Sequence, residues 1–145
     1  MTLVVDAAIL LAAARGRSSG ALLEASSSVV LVTTDRAIEE ARRRIELGMK
    51  QPELLPVLDR LASVIAIIPT EDLTSLIPAA ETELRDAVAS RNGSIRDAHV
   101  LALAWQADAD IWTTDRDFAG TGVSTWSTPN LMRALAERDE TSPAR

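Results

Sequence analysis

Short apolar runs alternate along the chain with longer segments in which apolar residues recur at helical spacing. The short runs predict strands, which cover Thr2–Val5, Val29–Val32, Val64–Ile68, Asp110–Thr113 and Val123–Trp126. The longer segments predict helices, namely Ala7–Ala14, Ala21–Ala25, a stripe from Ile38 to Met49, Pro52–Leu61, Ala79–Ser90, Arg96–Ala107 and Thr128–Glu137.

This alternation of strand and helix predicts an α/β fold. We expect a three-layer α/β/α sandwich in which helices cover both faces of a central, mainly parallel sheet of about five strands. A chain of 145 residues without an internal repeat or linker is expected to form one domain, covering residues 1–138. Residues 139–145 are expected to be a flexible tail.

Acidic residues follow two of the predicted strands. Asp6 comes directly after the first strand, and Asp115 and Asp117 follow the fourth. Asp97 lies at the start of the helix before that fourth strand. Because ligands of open α/β sheets sit beyond the carboxyl ends of the strands, these carboxylates are candidates for one shared site.

Each acid alone also has a structural explanation. Asp6 can cap the following helix, which we weigh equally with a functional role. For Asp97 alone capping is favoured, because Ser94 and Asp97 match the capping-box pattern. Asp115 and Asp117 can each be turn residues, but as an i, i+2 pair they can share one ion.

Taken together, the acids predict a divalent metal site. Several carboxylates gathered without compensation would repel one another. Mg²⁺ or Mn²⁺ would remove that repulsion and prefers oxygen ligands of this kind. A metal ion held by carboxylates can activate water for attack on a phosphodiester.

Composition restricts the other possibilities. The net charge of −6 argues against nucleic-acid binding through bulk positive potential, unless metal ions neutralise the clustered acids. The chain has no cysteine, which excludes disulfides, thiolate metal sites and a cysteine nucleophile. No apolar run reaches the roughly 18 residues of a membrane span. We therefore expect no membrane association and a cytoplasmic location.

The order of these motifs resembles the PIN-domain family, including the VapC-type toxin ribonucleases. The resemblance extends from VVDA at Val4–Ala7, through RDAHVLALA, to TTDRDF at Thr113–Phe118 and the closing VSTWST. It implies a parallel sheet with flanking helices and RNA cleavage with Mg²⁺ or Mn²⁺. It also implies that four of the acids are metal ligands: Asp6, Asp97, Asp115 and Asp117.

A further acid is implied by TTDRAIEEARRRI, which resembles the family helix in which Glu precedes an apolar residue and an Arg. That register selects Glu40 as a fifth metal ligand, and as the fourth catalytic acid beside Asp6, Asp97 and Asp115. However, the buried face predicted from Ile38 and Ala41 directs Glu40 away from the core, so Glu39 remains a substitute.

The function implied is a metal-dependent endoribonuclease, the toxin of a type II toxin–antitoxin pair. Its implied partners are RNA, an antitoxin whose tail supplies a basic residue to the acidic pocket, and a second copy in a homodimer. Candidate phosphate contacts are Arg42, Arg43, Arg44, Arg96 and Arg116, although each alone is more typical of solvated surface. His99 is interpreted as a structural or surface residue.

Two alternatives remain open. One is a PIN-like scaffold that binds RNA or protein without cutting it, which the acidic net charge and the uncertain position of the glutamate favour slightly. The other is a phosphoacceptor domain of the receiver or haloacid-dehalogenase type. The second alternative is disfavoured because a dehalogenase-type phosphatase needs a D-x-D motif after the first strand, whereas Ala7 and Ala8 follow Asp6 here. Both phosphoacceptor types also use a lysine late in the chain, and no lysine follows Lys50.

Overall fold

Parallel strands form one twisted layer at the centre of the molecule. The computed structural model describes residues 1–17, 19–86, 94–114, 116 and 118–141. Within these residues the sheet has five strands: β1 (Thr2–Val5), β2 (Val30–Thr34), β3 (Ala66–Ile68), β4 (Asp110–Trp112) and β5 (Thr125–Trp126). Their order is β3-β2-β1-β4-β5, and each neighbouring pair is parallel.

Helices cover both faces of this sheet. The α-helices of the described residues are α1 (Ala7–Ala14), α2 (Ser19–Ser26), α3 (Asp35–Arg43), α4 (Leu55–Ala62), α5 (Ile77–Arg85), α6 (Ala98–Ala107) and α7 (Thr128–Thr141). Helices α1, α2, α3, α4 and α7 contribute to the core on one face, and α5 and α6 to the core on the other. The predicted three-layer α/β/α sandwich with a parallel central sheet is therefore confirmed.

The central strand β1 explains why both faces are covered. Leu3 and Val5 pack into one core and Val4 into the other, and all three are fully buried. A strand that is apolar on both sides is typical of parallel sheets, because helices shield each face. Helix α6 is correspondingly apolar, and Val100, Leu101 and their neighbours are buried in the second core.

Several element boundaries differ from the predicted ones. Strand β2 continues through Thr33 and Thr34, whose β-branched side chains suit an extended backbone. Helix α7 continues to Thr141, beyond the predicted end at about Glu137, because no Gly or Pro interrupts the sequence before Pro143. The first three residues of the predicted tail, 139–141, belong to α7, and 142–145 lie outside the described residues.

Several helical segments are tighter or wider than an α-helix. Helix α3 runs into a π-helical turn at Arg44–Gly48, so the long helix predicted to Met49 changes its winding partway. A 3₁₀ turn at Pro52–Leu54 precedes α4, and another at Ile95–Asp97 precedes α6. The second of these puts Asp97 at the junction between the turn and the helix.

The strand order also differs from that of receiver domains, one of the two phosphoacceptor types considered above. Receiver domains have the order 2-1-3-4-5, whereas here β1 lies between β2 and β4. The strand order reverses between β1 and β4, and ligands of such sheets bind at this topological switch point. Within the described residues, the structure contains no helix with the length and apolar character that a membrane span requires.

We predict that Leu101→Ala lowers the free energy of unfolding by roughly 2–5 kcal/mol, because it leaves a cavity in the core that α5 and α6 form against the sheet. Leu47→Ala is the matched control, since Leu47 is 69% exposed and Leu101 is fully buried. The control should change stability by less than about 0.5 kcal/mol. Urea unfolding monitored by tryptophan fluorescence measures both, and equal losses would contradict this assignment of the core.

Candidate active site

Asp6 lies where β1 passes into α1, at the carboxyl edge of the sheet. Its Oδ1 accepts a hydrogen bond from the backbone N–H of Ile9 at 3.0 Å, so Asp6 does cap α1. Its own backbone N–H donates to the carbonyl of Trp112 at 3.3 Å, which joins the end of β1 to the end of β4. The residue is only 7% exposed. Capping and a site role are therefore compatible, because the cap uses one carboxylate oxygen.

Thr113 holds the other oxygen of Asp6. The Thr113 hydroxyl donates a hydrogen bond to Oδ2 of Asp6, and both residues are buried. The backbone N–H of Thr113 donates to the carbonyl of Trp126 at 3.0 Å, which fixes the threonine between β4 and β5. Thr113 thus sets the orientation of Asp6.

A cavity of about 420 Å³ opens beside Asp6. We call it the acidic cavity, because Asp6, Glu40 and Asp97 all line it. The further side chains at its wall include Arg44, Ser94, Arg96, His99 and Phe118. Three carboxylates that are far apart in sequence therefore share one opening at the carboxyl edge of the sheet.

Asp97 reaches this cavity from the start of α6. Of the two residues in the predicted capping box, Ser94 makes a cap, because its hydroxyl accepts from the backbone N–H of Arg96 at 3.2 Å. The Asp97 side chain makes no capping hydrogen bond to α6. Asp97 is partly exposed at the mouth of the cavity. Capping does not account for its position in the way that it does for Asp6.

The two glutamates of α3 occupy different places. Glu40 lines the acidic cavity, whereas Glu39 lines only a neighbouring one. Each is ion-paired with an arginine four residues later, Glu39 with Arg43 and Glu40 with Arg44, both at 3.2 Å. The helical wheel cannot separate these two glutamates, but their positions in the structure do.

Asp115 and Asp117, the remaining predicted ligands, lie outside the described residues. Among the residues that are described, no three acidic or histidine side chains form a group able to hold a metal ion. Carboxylate oxygens are nevertheless the donors that Mg²⁺ and Mn²⁺ prefer. The chemistry of Asp6, Glu40 and Asp97 thus fits such an ion, with further ligands predicted in the turn after β4.

The predicted phosphate-binding arginines fall into three groups. Arg42 is ion-paired with Asp59, and Arg43 with Glu39, so their charges are at least partly compensated on the surface. Arg44 and Arg96 line the acidic cavity, and Arg116 is exposed. Arg44 and Arg96 are therefore the members of the set that lie closest to the carboxylates.

His99 lies in α6 and is only 4% exposed, so it is not a surface residue. Its Nδ1 lies 2.7 Å from the Thr34 hydroxyl, which also accepts from the backbone N–H of Ala37 at 3.0 Å and so caps α3. Burial and, to a smaller extent, the positive charge of Arg36 together lower the pKa of His99 to about 4, although the Asp35 carboxylate opposes the shift. The imidazole is therefore neutral at pH 7.

Asp35 ties α3 to the end of β3. Its carboxylate accepts from the Thr70 hydroxyl at 2.5 Å and from the Thr70 backbone N–H at 2.9 Å. The hydrogen bond from the Thr70 hydroxyl is the main cause that holds the pKa of Asp35 below its ordinary value. The cap of α3 is thus made by Thr34, and Asp35 makes this cross-link instead.

We predict that the folded state loses stability relative to a His99→Gln variant as the pH falls from about 6.5 to about 4. The folded pKa is about 4 and the ordinary value is 6.5, so the unfolded chain binds more protons within that window. The difference in the free energy of unfolding between the two proteins should change by no more than about 1.4 kcal/mol per pH unit. Urea unfolding in EDTA at several pH values measures it, and parallel curves for the two proteins would contradict the prediction.

Comparisons with known proteins agree with this architecture. A crystal structure of VapBC2 from Rickettsia felis, bound to a DNA fragment from their promoter, contains a chain 15% identical to this one. The match has a TM-score of 0.69 and covers 88% of this chain and 98% of that one. PAE2754 from Pyrobaculum aerophilum is 16% identical with a TM-score of 0.66, over 94% of this chain and 90% of that one. At such identities the likeness shows the fold.

The family is shown by the sequence itself. No curated protein matches the chain. A family model described as the PIN domain, however, matches residues 4–136, which extend from the start of the VVDA motif into α7. PIN domains are generally nucleases. On a match that covers nearly its whole length, this chain belongs to the PIN-domain family.

Proposed function

We propose that this protein is an endoribonuclease that hydrolyses RNA phosphodiester bonds with the help of Mg²⁺ or Mn²⁺. The observation that carries the proposal is the meeting of Asp6, Glu40 and Asp97 at one cavity. These residues come from the end of β1, from α3 and from the start of α6. Three carboxylates at one opening have a cost in mutual repulsion that a bound cation offsets.

The metal ligands in this proposal are Asp6, Asp97 and Glu40, together with Asp115 and Asp117 from the turn after β4. When bound, the ion would lower the pKa of a coordinated water and polarise the phosphodiester. Thr113 contributes by fixing the orientation of the Asp6 carboxylate. Glu40 would exchange its ion pair with Arg44 for the metal.

The cavity also contains groups suited to the substrate. Arg44 and Arg96 lie at its wall, where a guanidinium can bind phosphate oxygens with two parallel hydrogen bonds. Phe118 supplies an apolar surface at the same wall and is itself buried. A strand whose phosphates contact these arginines would present one phosphodiester to the carboxylates, which locates cleavage within this cavity.

The biological role that we propose is that of a toxin in a type II toxin–antitoxin pair. The fold shared with a chain of VapBC2 supports this role. An antitoxin tail with a basic residue would complement the acidic cavity, and its binding would exclude RNA. We also propose a homodimer. Co-purification with the product of an adjacent reading frame tests the antitoxin, and light scattering tests the dimer.

A second candidate is a PIN-like scaffold that binds RNA or protein without cutting it. The observation that favours it is the ion pair between Glu40 and Arg44, since a glutamate held at 3.2 Å from a guanidinium is partly withdrawn from metal binding. The two candidates differ in a simple respect. The scaffold predicts RNA binding that does not depend on divalent ions, with no product at any metal concentration.

We predict that the protein cleaves single-stranded RNA only with Mg²⁺ or Mn²⁺ and that Asp6→Asn or Asp97→Asn removes this activity. Since losing an outer-shell partner of a metal costs about 10–100-fold, losing a ligand should cost at least about 100-fold. Asp72→Asn is the matched control, because Asp72 is exposed and lines neither this cavity nor the adjacent one. Cleavage in EDTA, or full activity of both ligand variants, would refute the proposal.

A second pair of variants assigns the glutamate. Glu40→Gln should lower kcat by at least roughly 10-fold, and Glu39→Gln should leave it within about twofold, because only Glu40 lines the acidic cavity. Both changes remove one negative charge and one exposed i, i+4 ion pair, so each is the other's control. The reverse order of effects would assign the role to Glu39.

A further inference from the structure

A second cavity adjoins the acidic one. It has a volume of about 380 Å³ and shares Glu40, Arg96 and His99 with the acidic cavity. Arg36, Glu39 and Arg43 complete its lining. We call it the arginine cavity. Because the two cavities share three wall residues, a strand of nucleic acid that enters one can continue into the other.

The charges of the arginine cavity do not cancel. Arg43 is ion-paired with Glu39, and Glu40 is ion-paired with Arg44. In the part of the chain that the structure describes, Arg36 and Arg96 make no ion pair. The lining of this cavity, with three arginines and two glutamates, therefore has a surplus of positive charge, and Arg36 and Arg96 are the arginines that no acid among the described residues pairs with. An anion is the ligand that complements them.

His99 adds a buried polar atom to the same wall. Its Nδ1 is used by Thr34, and the described residues supply no hydrogen-bond partner for its Nε2. The residue is only 4% exposed, yet it lines both cavities. Buried polar groups are normally hydrogen-bonded, so an Nε2 without a protein partner calls for a ligand or water.

The Thr34 hydroxyl determines which ring nitrogen carries the hydrogen. Its oxygen accepts the N–H of Ala37, and Nδ1 of His99 is the one acceptor that the described residues offer its hydroxyl hydrogen, so Thr34 donates to Nδ1. An imidazole that accepts at Nδ1 carries its hydrogen on Nε2. The Thr34–His99 pair thus presents a fixed hydrogen-bond donor at the boundary between the two cavities.

We propose that the arginine cavity binds a second phosphate of the RNA strand, next to the one that is cut, through Arg36, Arg96 and the Nε2–H of His99. This inference rests on the proposed nuclease function and adds to it a subsite that sets the path of the strand. The subsite is a binding element: its residues hold a phosphate that does not react. None of the acids in the acidic cavity is needed for that contact.

The test is the affinity for a fluorescein-labelled single-stranded RNA of about twelve nucleotides, measured by fluorescence anisotropy in EDTA so that no cleavage occurs. Arg36→Gln and Arg96→Gln should each weaken binding by roughly fivefold to tenfold. Each should also reduce the slope of log K against log salt by about 0.7, the value for one lost contact to a single strand.

Arg60→Gln is the matched control, because Arg60 is an exposed arginine of α4 that lines neither cavity and carries the same charge. Its affinity and salt slope should equal those of the unmodified protein.

His99→Gln tests the buried donor, and circular dichroism establishes that each variant is folded. If His99→Gln unfolds, the two arginine variants still decide the question, since both side chains are exposed.

The outcomes separate this inference from the nuclease proposal. If the protein cleaves RNA but Arg36→Gln and Arg96→Gln bind and cut like Arg60→Gln, the subsite is wrong and the nuclease stands. If no metal supports cleavage but both variants weaken RNA binding with the smaller salt slope, the subsite stands and the nuclease is wrong. An equal loss of affinity in all three variants would indicate general electrostatic attraction and would overturn the subsite.

Discussion

Parallel pairing of β1 with β4 is the constraint on which the site depends, because it brings the Asp6 carboxylate against the Thr113 hydroxyl across 107 positions of sequence. Both residues are buried, so the contact forms in a region where hydrogen bonds are less weakened by water. The backbone N–H of Asp6 is held by the carbonyl of Trp112 in the same junction. The rest of the site is arranged around this fixed carboxylate.

The other elements bring their acids to the same edge for reasons of packing. Helix α6 packs on the second face of the sheet with seven of its ten residues buried, and Asp97 just before it shares a cavity with Asp6 at the end of β1. Helix α3 begins at the end of β2, where Thr34 caps it and binds His99 of α6. Asp35 joins the same start to Thr70 after β3. These contacts hold α3 and α6 at the two sides of the acidic cavity.

Charge within this edge is divided between two neighbouring regions. Carboxylates predominate in the acidic cavity, while Arg36 and Arg96 leave positive charge in the arginine cavity. A protein with a net charge of −6 can therefore still offer local sites for phosphate. Surface pairs such as Arg43–Glu39 contribute little to stability, about 0–1 kcal/mol, but they remove charge from the places where they form.

Much of the fold could be predicted from the sequence, because the strands are apolar runs and the helices carry periodic stripes. Strand β1 was predicted with its observed ends, and Asp6 and Asp97 were predicted as site residues that the structure places at one cavity. Boundaries were less accurate where β-branched Thr33 and Thr34 extend β2, and where α3 changes to a π turn.

Features that depend on long-range contacts were not predictable from local pattern. Thr113 was not identified as the partner of Asp6, although its place in TTD beside the acids was a usable signal. The choice of Glu40 over Glu39 needs the position of the cavity, which no helical wheel contains. Arg36 and the Thr34–His99 pair depend on the contact between α3 and α6, whose residues are 65 positions apart for that pair.

The central claim is that carboxylates from separate elements converge to bind one divalent cation, and a crystal structure of the protein soaked in Mn²⁺ tests it most directly. The account predicts an anomalous peak in the acidic cavity with oxygens of Asp6 and Asp97 among its ligands. A peak elsewhere, or no peak at saturating Mn²⁺ with the two carboxylates turned away from each other, would contradict it.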